Sequence, residues 1–413
     1  MKKVEEYYAP WVKGIPMYIS DHIEKAWRDP SLHRMMSNEN PLPPSDKVLD
    51  AMVKYAKMAN RYPDQGLVVR SKIAEMNNVD GPGNVMIGNG SSEVYDNIFR
   101  MFLEPGDEVI QHTPCFGIYG LRGTLLGAKM VSVPMVYKDH KMEYDPEAII
   151  KAVTDKTKII VVANPNNPTG NFMDAKHFVT IAELGIPFVV DEAYVEYAGL
   201  GMSQVQLTKK YKNVLITRTL SKAYGLAGMR FGYTIADKEV IDQIAGSLLP
   251  WNVGTIPMWA ALAAFEDTEG LAERVKFNND AVDFITESLS VIPGFHIMNS
   301  KANYILFDCG ETGKTGAQVL AYAETKGIIL RGESKKYGSD GWFRVTVGSA
   351  EENKLFVDTV LEFFGMKKTQ RTIQGKPTKI KGSPLCTYVL WVYFLNGGNN
   401  VKNKKQCSLT RTA

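Results

Sequence analysis

Apolar positions along this chain follow two rhythms. Short runs rich in valine and isoleucine, NVMIG (84–88), DEVIQH (107–112), KIIVVAN (158–164), IPFVVDE (186–192) and NVLITRT (213–219), alternate with stretches of helical period. Runs of that length predict strands, and their alternation with helices predicts an α/β fold with a mostly parallel sheet. Each run passes directly into a polar loop that carries glycine or proline. In open α/β sheets ligands bind at the carboxyl ends of the strands, so the chemistry is expected in these loops.

After about residue 280 the pattern changes. KANYILFDC and GWFRVTVG predict strands of a smaller α+β unit, and SAEENKLFVDTVLEFFG predicts its closing helix. Ser349 and Glu352 form a capping-box pattern at its start, with Gly365 as the stop. The expected organisation is an N-terminal segment (1–50) packed on the small unit, a large domain (51–280), the small domain (281–366) and a basic tail (367–413) outside the fold. The chain shows neither an internal repeat nor a low-complexity segment.

Composition adds little until it is divided. At 413 residues, with 45% apolar and 23% charged, the chain is an ordinary globular protein of two or three domains. The net charge of +3 conceals a split: the tail from Lys367 carries ten basic residues and no acid, leaving 38 basic against 45 acidic before it. A mildly acidic body is not expected to bind nucleic acid. For the tail, an extension irrelevant to the fold is favoured over a nucleic-acid or membrane arm, since basic runs are weak signals. Cys115, Cys309, Cys386 and Cys407 are scattered, and no CxxC or Cys/His spacing points to a metal or a disulfide framework. The N-terminus lacks the apolar core of a signal peptide. The longest apolar run, LCTYVLWVYFL (385–395), is shorter than the ~20 residues that span a bilayer, so a cytoplasmic location is expected.

The loops are unusual in sequence. Gly88-Asn89-Gly90-Ser91-Ser92 lies between a strand and a helix, where backbone N–H groups and hydroxyls can cradle a phosphate; a tight structural turn fits it as well. Phe116 follows a strand end, where an aromatic can stack on a flat ligand or fill a core. ANPNNPTG (163–170) closes a strand with a rigid polar loop containing Asn167. Asp191 ends an apolar run, where an acid needs a partner, and Tyr194 lies three residues on.

The most informative stretch is TRTLSKAYGLAGMRFGY (217–233), which sets Lys222 and Arg230 among small and apolar residues. A desolvated lysine loses part of its preference for the charged form and becomes a nucleophile near neutral pH. Arg230, Ser221 and Thr219 offer donors for a dianion. A nucleophilic lysine, a phosphate cup, a ring stacker and a buried acid are together what pyridoxal phosphate requires.

In order, NPNNPTG, DEAY, RTLSKAYGLAGMRFGY and FRVTVG closely resemble the fold-type I aminotransferases. With SNENPLPPS (37–45) and NRYPDQ (60–65), the chain is similar to the histidinol-phosphate aminotransferases over roughly residues 35–365. The resemblance implies a large domain with a mostly parallel seven-stranded sheet, a smaller α+β domain, and a homodimer with shared active sites. It implies that Lys222 bonds the cofactor aldehyde and moves the substrate proton, and that Asp191 pairs with the pyridine nitrogen. Tyr194 and Asn167 are implied at the ring's phenolic oxygen, with Phe116 stacked on the ring. Ser91, Ser92, Thr219, Ser221 and Arg230 are implied at the phosphate, with Tyr62 reaching it from the second subunit.

In WFRVTVG the alternation sets Arg344 on the face opposite Phe343, Val345 and Val347, where it can grip an anion. The resemblance places Arg344 at the substrate's anionic end and Asn40 and Asn252 near the cleft. Arg331 is a second candidate anion ligand, and a solvated surface arginine is its alternative. Leu42-Pro43-Pro44 departs from a family pattern with glycine before the proline, and the basic tail has no family counterpart. The expected activity is amino transfer between glutamate/2-oxoglutarate and histidinol phosphate/imidazole acetol phosphate. An aromatic or other amino-acid aminotransferase, a phospho-amino-acid decarboxylase of the same fold, and a regulatory protein without turnover are the alternatives.

Overall fold

The computed structural model describes residues 3–15, 21–333, 337 and 339–369. The expectation for the basic tail falls, from residue 370 onward, outside the described residues.

Seven strands form the main sheet: β1 (Val85–Asn89), β2 (Glu108–Thr113), β3 (Lys129–Pro134), β4 (Thr157–Ala163), β5 (Phe188–Asp191), β6 (Val214–Thr219) and β7 (Phe231–Ile235). Their spatial order is β1-β7-β6-β5-β4-β2-β3. β7 alone runs antiparallel to its neighbours. The five runs read as strands are all in this sheet. The two it adds have weaker signals: β3 is a partly exposed edge, and β7 begins within the glycine-bearing stretch after Lys222.

The inner strands are apolar at consecutive positions because both faces are covered. Ile160, Val162, Val214 and Ile216 enter one core, while Ile159, Val161 and Leu215 enter the core on the opposite face. Each such side chain contributes about 1.5–3 kcal/mol through burial. No polar ligand can be recognised on faces packed this way, so the polar side chains gather at the carboxyl edge. There, register sets Ala163 beside Asp191 and Asp191 beside Thr217.

A four-stranded antiparallel sheet forms the smaller layer: β8 (His296–Ile297), β9 (Tyr304–Asp308), β10 (Arg331–Gly332) and β11 (Trp342–Thr346), in the order β8-β9-β11-β10. The helix Ala350–Phe363 closes it, and its capping box is formed by Ser349 and Glu352. The N-terminal segment joins this layer: His33–Arg34 pairs in parallel with Ile328–Ile329, and Thr346 N–H donates to the Met35 carbonyl at 2.9 Å. Among the described residues no helix is long and apolar enough to cross a membrane.

One buried ion pair ties the main sheet to the segments around it. Arg218 on β6 donates to Glu192 (3.0 Å), Asn77 (2.9 Å) and Ser203 (2.7 Å), with both charged side chains nearly inaccessible to water. Glu196 lies in the same region with an unpartnered oxygen, and burial lifts its carboxyl to about 7. Removing one partner of a buried pair leaves the other charge uncompensated. Arg218→Ala should therefore lower the unfolding free energy by about 3–5 kcal/mol, read from urea titrations followed by circular dichroism.

Candidate active site

Lys222 stands in the loop that follows β6. This loop is pinned by Leu220 N–H to the Phe231 carbonyl (3.1 Å) and Leu226 N–H to the Leu220 carbonyl (2.9 Å). The half-buried side chain brings its Nζ to 3.1 Å from the Asn38 carbonyl and 5.6 Å from the centre of the Tyr194 ring. Burial, joined by the positive charges of Arg344 and Arg230, lowers the amine to about 8, with Glu39 and Asp191 opposing in part. Such a lysine is neutral in a useful fraction of molecules near physiological pH.

Asp191 is buried at the end of β5. One carboxylate oxygen accepts from the Tyr119 hydroxyl, and the other accepts from Ala193 N–H at 3.0 Å. Burial raises its carboxyl above the usual range, and hydrogen bonds from Tyr119 and Tyr95 offset this in part. These partners are neutral donors, so a cationic ring nitrogen meeting this carboxylate would supply the charge its environment lacks.

The helix Ser91–Phe102 starts with Ser91 and Ser92 at the carboxyl end of β1. Gly90, with φ of 76°, precedes it, and a Cβ there would lie 2.3 Å from the Arg230 guanidinium. Gly232 is equally constrained, because a Cβ on it would reach 2.4 Å from the Ser91 nitrogen. Glycine at both positions lets the arginine and the helix start converge. Thr219 Oγ1 donates to Ser221 Oγ at 2.9 Å, and Arg230 Nη1 reaches that same hydroxyl at 3.5 Å. Backbone N–H groups, hydroxyls and a guanidinium around one helix terminus suit a phosphate dianion.

Across the site, Asn167 Nδ2 donates to the Tyr194 hydroxyl at 3.4 Å, while its Oδ1 accepts from Arg344. Asn38, which sequence reasoning missed, donates to Tyr194 at 2.9 Å and accepts from Thr346 at 3.1 Å. Burial raises the Tyr194 hydroxyl to about 12, so it remains a donor at neutral pH. A lowered lysine, a buried acid without a cation and an anion cup on one sheet edge fit pyridoxal phosphate.

Residues 32–360 match the family Aminotransferase class I and II. The chain belongs to this family. It is a fold-type I pyridoxal-phosphate aminotransferase close to the histidinol-phosphate aminotransferases. It is 36% identical over 340 residues to histidinol-phosphate aminotransferase 1 of Idiomarina loihiensis, covering 80% of this chain and 89% of that one. To the histidinol-phosphate aminotransferase of Maricaulis maris it is 34% identical over 338 residues, covering 80% and 91%. The crystal structure of histidinol-phosphate aminotransferase from Sinorhizobium meliloti in complex with pyridoxal-5'-phosphate shares the fold, with a TM-score of 0.79 at 24% identity over 87% of this chain and 98% of that one.

The remaining sequence candidates of this aminotransferase lie in different settings. Arg344 is buried, donates to the Met36 carbonyl at 3.3 Å and stands 3.6 Å from Glu333. Arg331 pairs with it directly across β10 and β11 and comes to 3.5 Å from His22. Asn40 gives its amide to the carbonyls of Ala223 (3.1 Å) and Lys222 (3.3 Å), which braces the lysine loop. Asn252 binds the Ile87 carbonyl at 3.1 Å, behind the anion cup. Phe116 meets Tyr119 edge-on at 5.8 Å between ring centres. Tyr62 is 78% exposed and stacks on Trp251 at 4.3 Å, making no contact with the cup in its own chain.

Tyr119 and Tyr95 were also missed. Their only signal was position, three residues beyond Phe116 and four beyond Ser91. In the aminotransferase stripped of cofactor, pyridoxal phosphate should load onto Lys222 at a rate that rises with pH through a midpoint near 8, since only the neutral amine attacks an aldehyde. Absorbance-monitored reconstitution across a pH series checks this, and a midpoint near the ordinary lysine value of 10.5 would contradict it.

Proposed function

We propose that this aminotransferase moves an amino group between glutamate/2-oxoglutarate and histidinol phosphate/imidazole acetol phosphate, as a homodimer in the cytoplasm. The observation that carries amino transfer is the lowered Lys222 amine, close enough to Asp191 and Arg344 for both charges to act on it. Pyridoxal phosphate, when bound, supplies an aldehyde and a ring that draws off the electrons left at the substrate α-carbon.

In this reading Lys222 would hold the cofactor's aldehyde through Nζ and, once the substrate amine displaces it there, would carry the α-proton. Asp191 would hold the proton on the ring nitrogen. Tyr194 and Asn167 would serve the phenolic oxygen, and Phe116 would lie against the ring. Ser91, Ser92, Thr219, Ser221 and Arg230 would hold the phosphate, joined by Tyr62 from the second subunit. The exposure of Tyr62 and of Trp251, on which it stacks, supports that contact, because these apolar side chains gain from being covered.

Arg344 is assigned to the anionic end of the substrate, gripping glutamate's α-carboxylate in one half-reaction and the phosphate of histidinol phosphate in the other. Arg331, directly across the strands, adds a second cation to the anion's surroundings. Asn40 and Asn252 act from behind, holding the backbone that presents Lys222 and the cup. The histidinol-phosphate assignment is supported by the names of the two relatives, each more than 30% identical across four-fifths of the chain.

With the cofactor converted to its amino form by glutamate, imidazole acetol phosphate should be the preferred acceptor over phenylpyruvate and 4-hydroxyphenylpyruvate in stopped-flow absorbance traces. Preference for the unphosphorylated keto acids would replace the histidinol-phosphate reading with an aromatic one. Arg344→Ala should weaken kcat/KM by an amount equivalent to about 2–5 kcal/mol, as when one partner of a buried charge pair is lost. Lys222→Ala should remove turnover while leaving the fold intact by circular dichroism.

A further inference from the structure

We propose that His140, His296 and Glu311 form a binding site for a divalent transition-metal ion of the zinc class. None of the three belongs to the amino-transfer site. His140 sits at the tip of the hairpin Val136–Lys138/Lys141–Glu143, which leaves the main sheet directly after β3. His296 lies on β8 of the small sheet, and Glu311 lies in the turn Gly310–Thr312 that follows β9. The cluster therefore joins this separate hairpin to the small sheet.

The donor set is two imidazoles and a carboxylate, the ligand types that zinc and its neighbours prefer, with a position left for water. His296 Nε2 lies 3.0 Å from one Glu311 oxygen, and His140 Nδ1 lies 3.6 Å from the other. Tetrahedral zinc, with bonds of about 2.0–2.1 Å, sets neighbouring donor atoms roughly 3.3 Å apart, between those two distances. All three donor atoms fall within 4.8 Å of one another.

The imidazole rings stack at 3.6 Å with planes 9° apart, so one of them must turn before both can aim a lone pair at the same ion. Two further features point to a ligand. His296 Nε2 is buried and makes no hydrogen bond, since the nearby carboxylate oxygen is within range but off axis. An unsatisfied buried nitrogen is costly, and an ion at this point would satisfy it. His140 occupies a left-handed conformation, with φ of 60°, in a two-residue turn that glycine or asparagine would hold more easily. Its ring is half exposed, so it can rotate onto an ion entering from solvent. A bound ion would clasp the hairpin to the small sheet and restrain movement of one against the other.

The test is calorimetric titration of the full-length, cofactor-loaded protein with zinc chloride. One ion per chain is expected, with affinity falling at least tenfold in both His140→Ala and His296→Ala and weakening as pH is lowered and the imidazoles take up protons. Cobalt(II) bound in place of zinc should show the visible absorption of a tetrahedral nitrogen–oxygen site in the parent protein and lose it in both variants. His140→Ala changes only the hairpin tip, so its unaltered circular dichroism would separate ligand loss from misfolding. Equal zinc affinity in the parent and both variants, or no saturable uptake at all, would overturn the proposal.

Discussion

A carboxylate buried without a cation beside it is the constraint around which the site is arranged. Asp191 and Glu192 are consecutive, and strand alternation sends them to opposite faces of the main sheet. Glu192 meets Arg218 and is neutralised in place. Asp191 meets two tyrosine hydroxyls and a backbone N–H, which hold its orientation without cancelling its charge. One acid stabilises the scaffold; the other is left with neutral donors, an environment that a cationic group would complete.

The rest of the edge follows the same division between dry and open ground. Lys222 and Arg344 are like charges in a low-dielectric region, and this proximity adds to the burial that lowers the lysine. The phosphate cup is more open. Arg230 is exposed there, and glycine at 90 and 232 allows the guanidinium and the helix start to approach without side chains between them. Asp191 is thus kept from water and Lys222 partly so, while the Arg230 guanidinium stays accessible.

Three distant parts of the chain complete the site. Asn167 comes from the loop after β4, Arg344 from the small sheet and Asn38 from the N-terminal segment, and they interlock through Tyr194 and Thr346. Asn303 also donates to the Asn38 carbonyl at 3.1 Å, the same carbonyl that receives Lys222 Nζ. Any shift of the small sheet therefore acts on both the lysine and the Tyr194 hydroxyl, so the positions of Arg344 and of the Lys222 amine are mechanically connected.

Periodicity and composition were enough to read the α/β layering, five of the seven strands of the main sheet and the loops at their carboxyl ends. They sufficed because a strand covered on both faces must be apolar throughout, and because Lys222, Arg230 and Asp191 are conspicuous in such surroundings. The edge strand β3 and the return strand β7 were hidden, one by its exposure and the other by the glycine its packing requires. Partnership was not legible. Tyr119 reaches Asp191 only because β2, β4 and β5 are adjacent, and Asn40 braces the lysine loop only because the N-terminal segment lies across it. His140 and His296 stack although no spacing rule joins them. Hydrophobic pattern dictates which side chains leave water, whereas strand order and chain crossing decide which polar groups then meet. That second choice is made only when the sheets assemble.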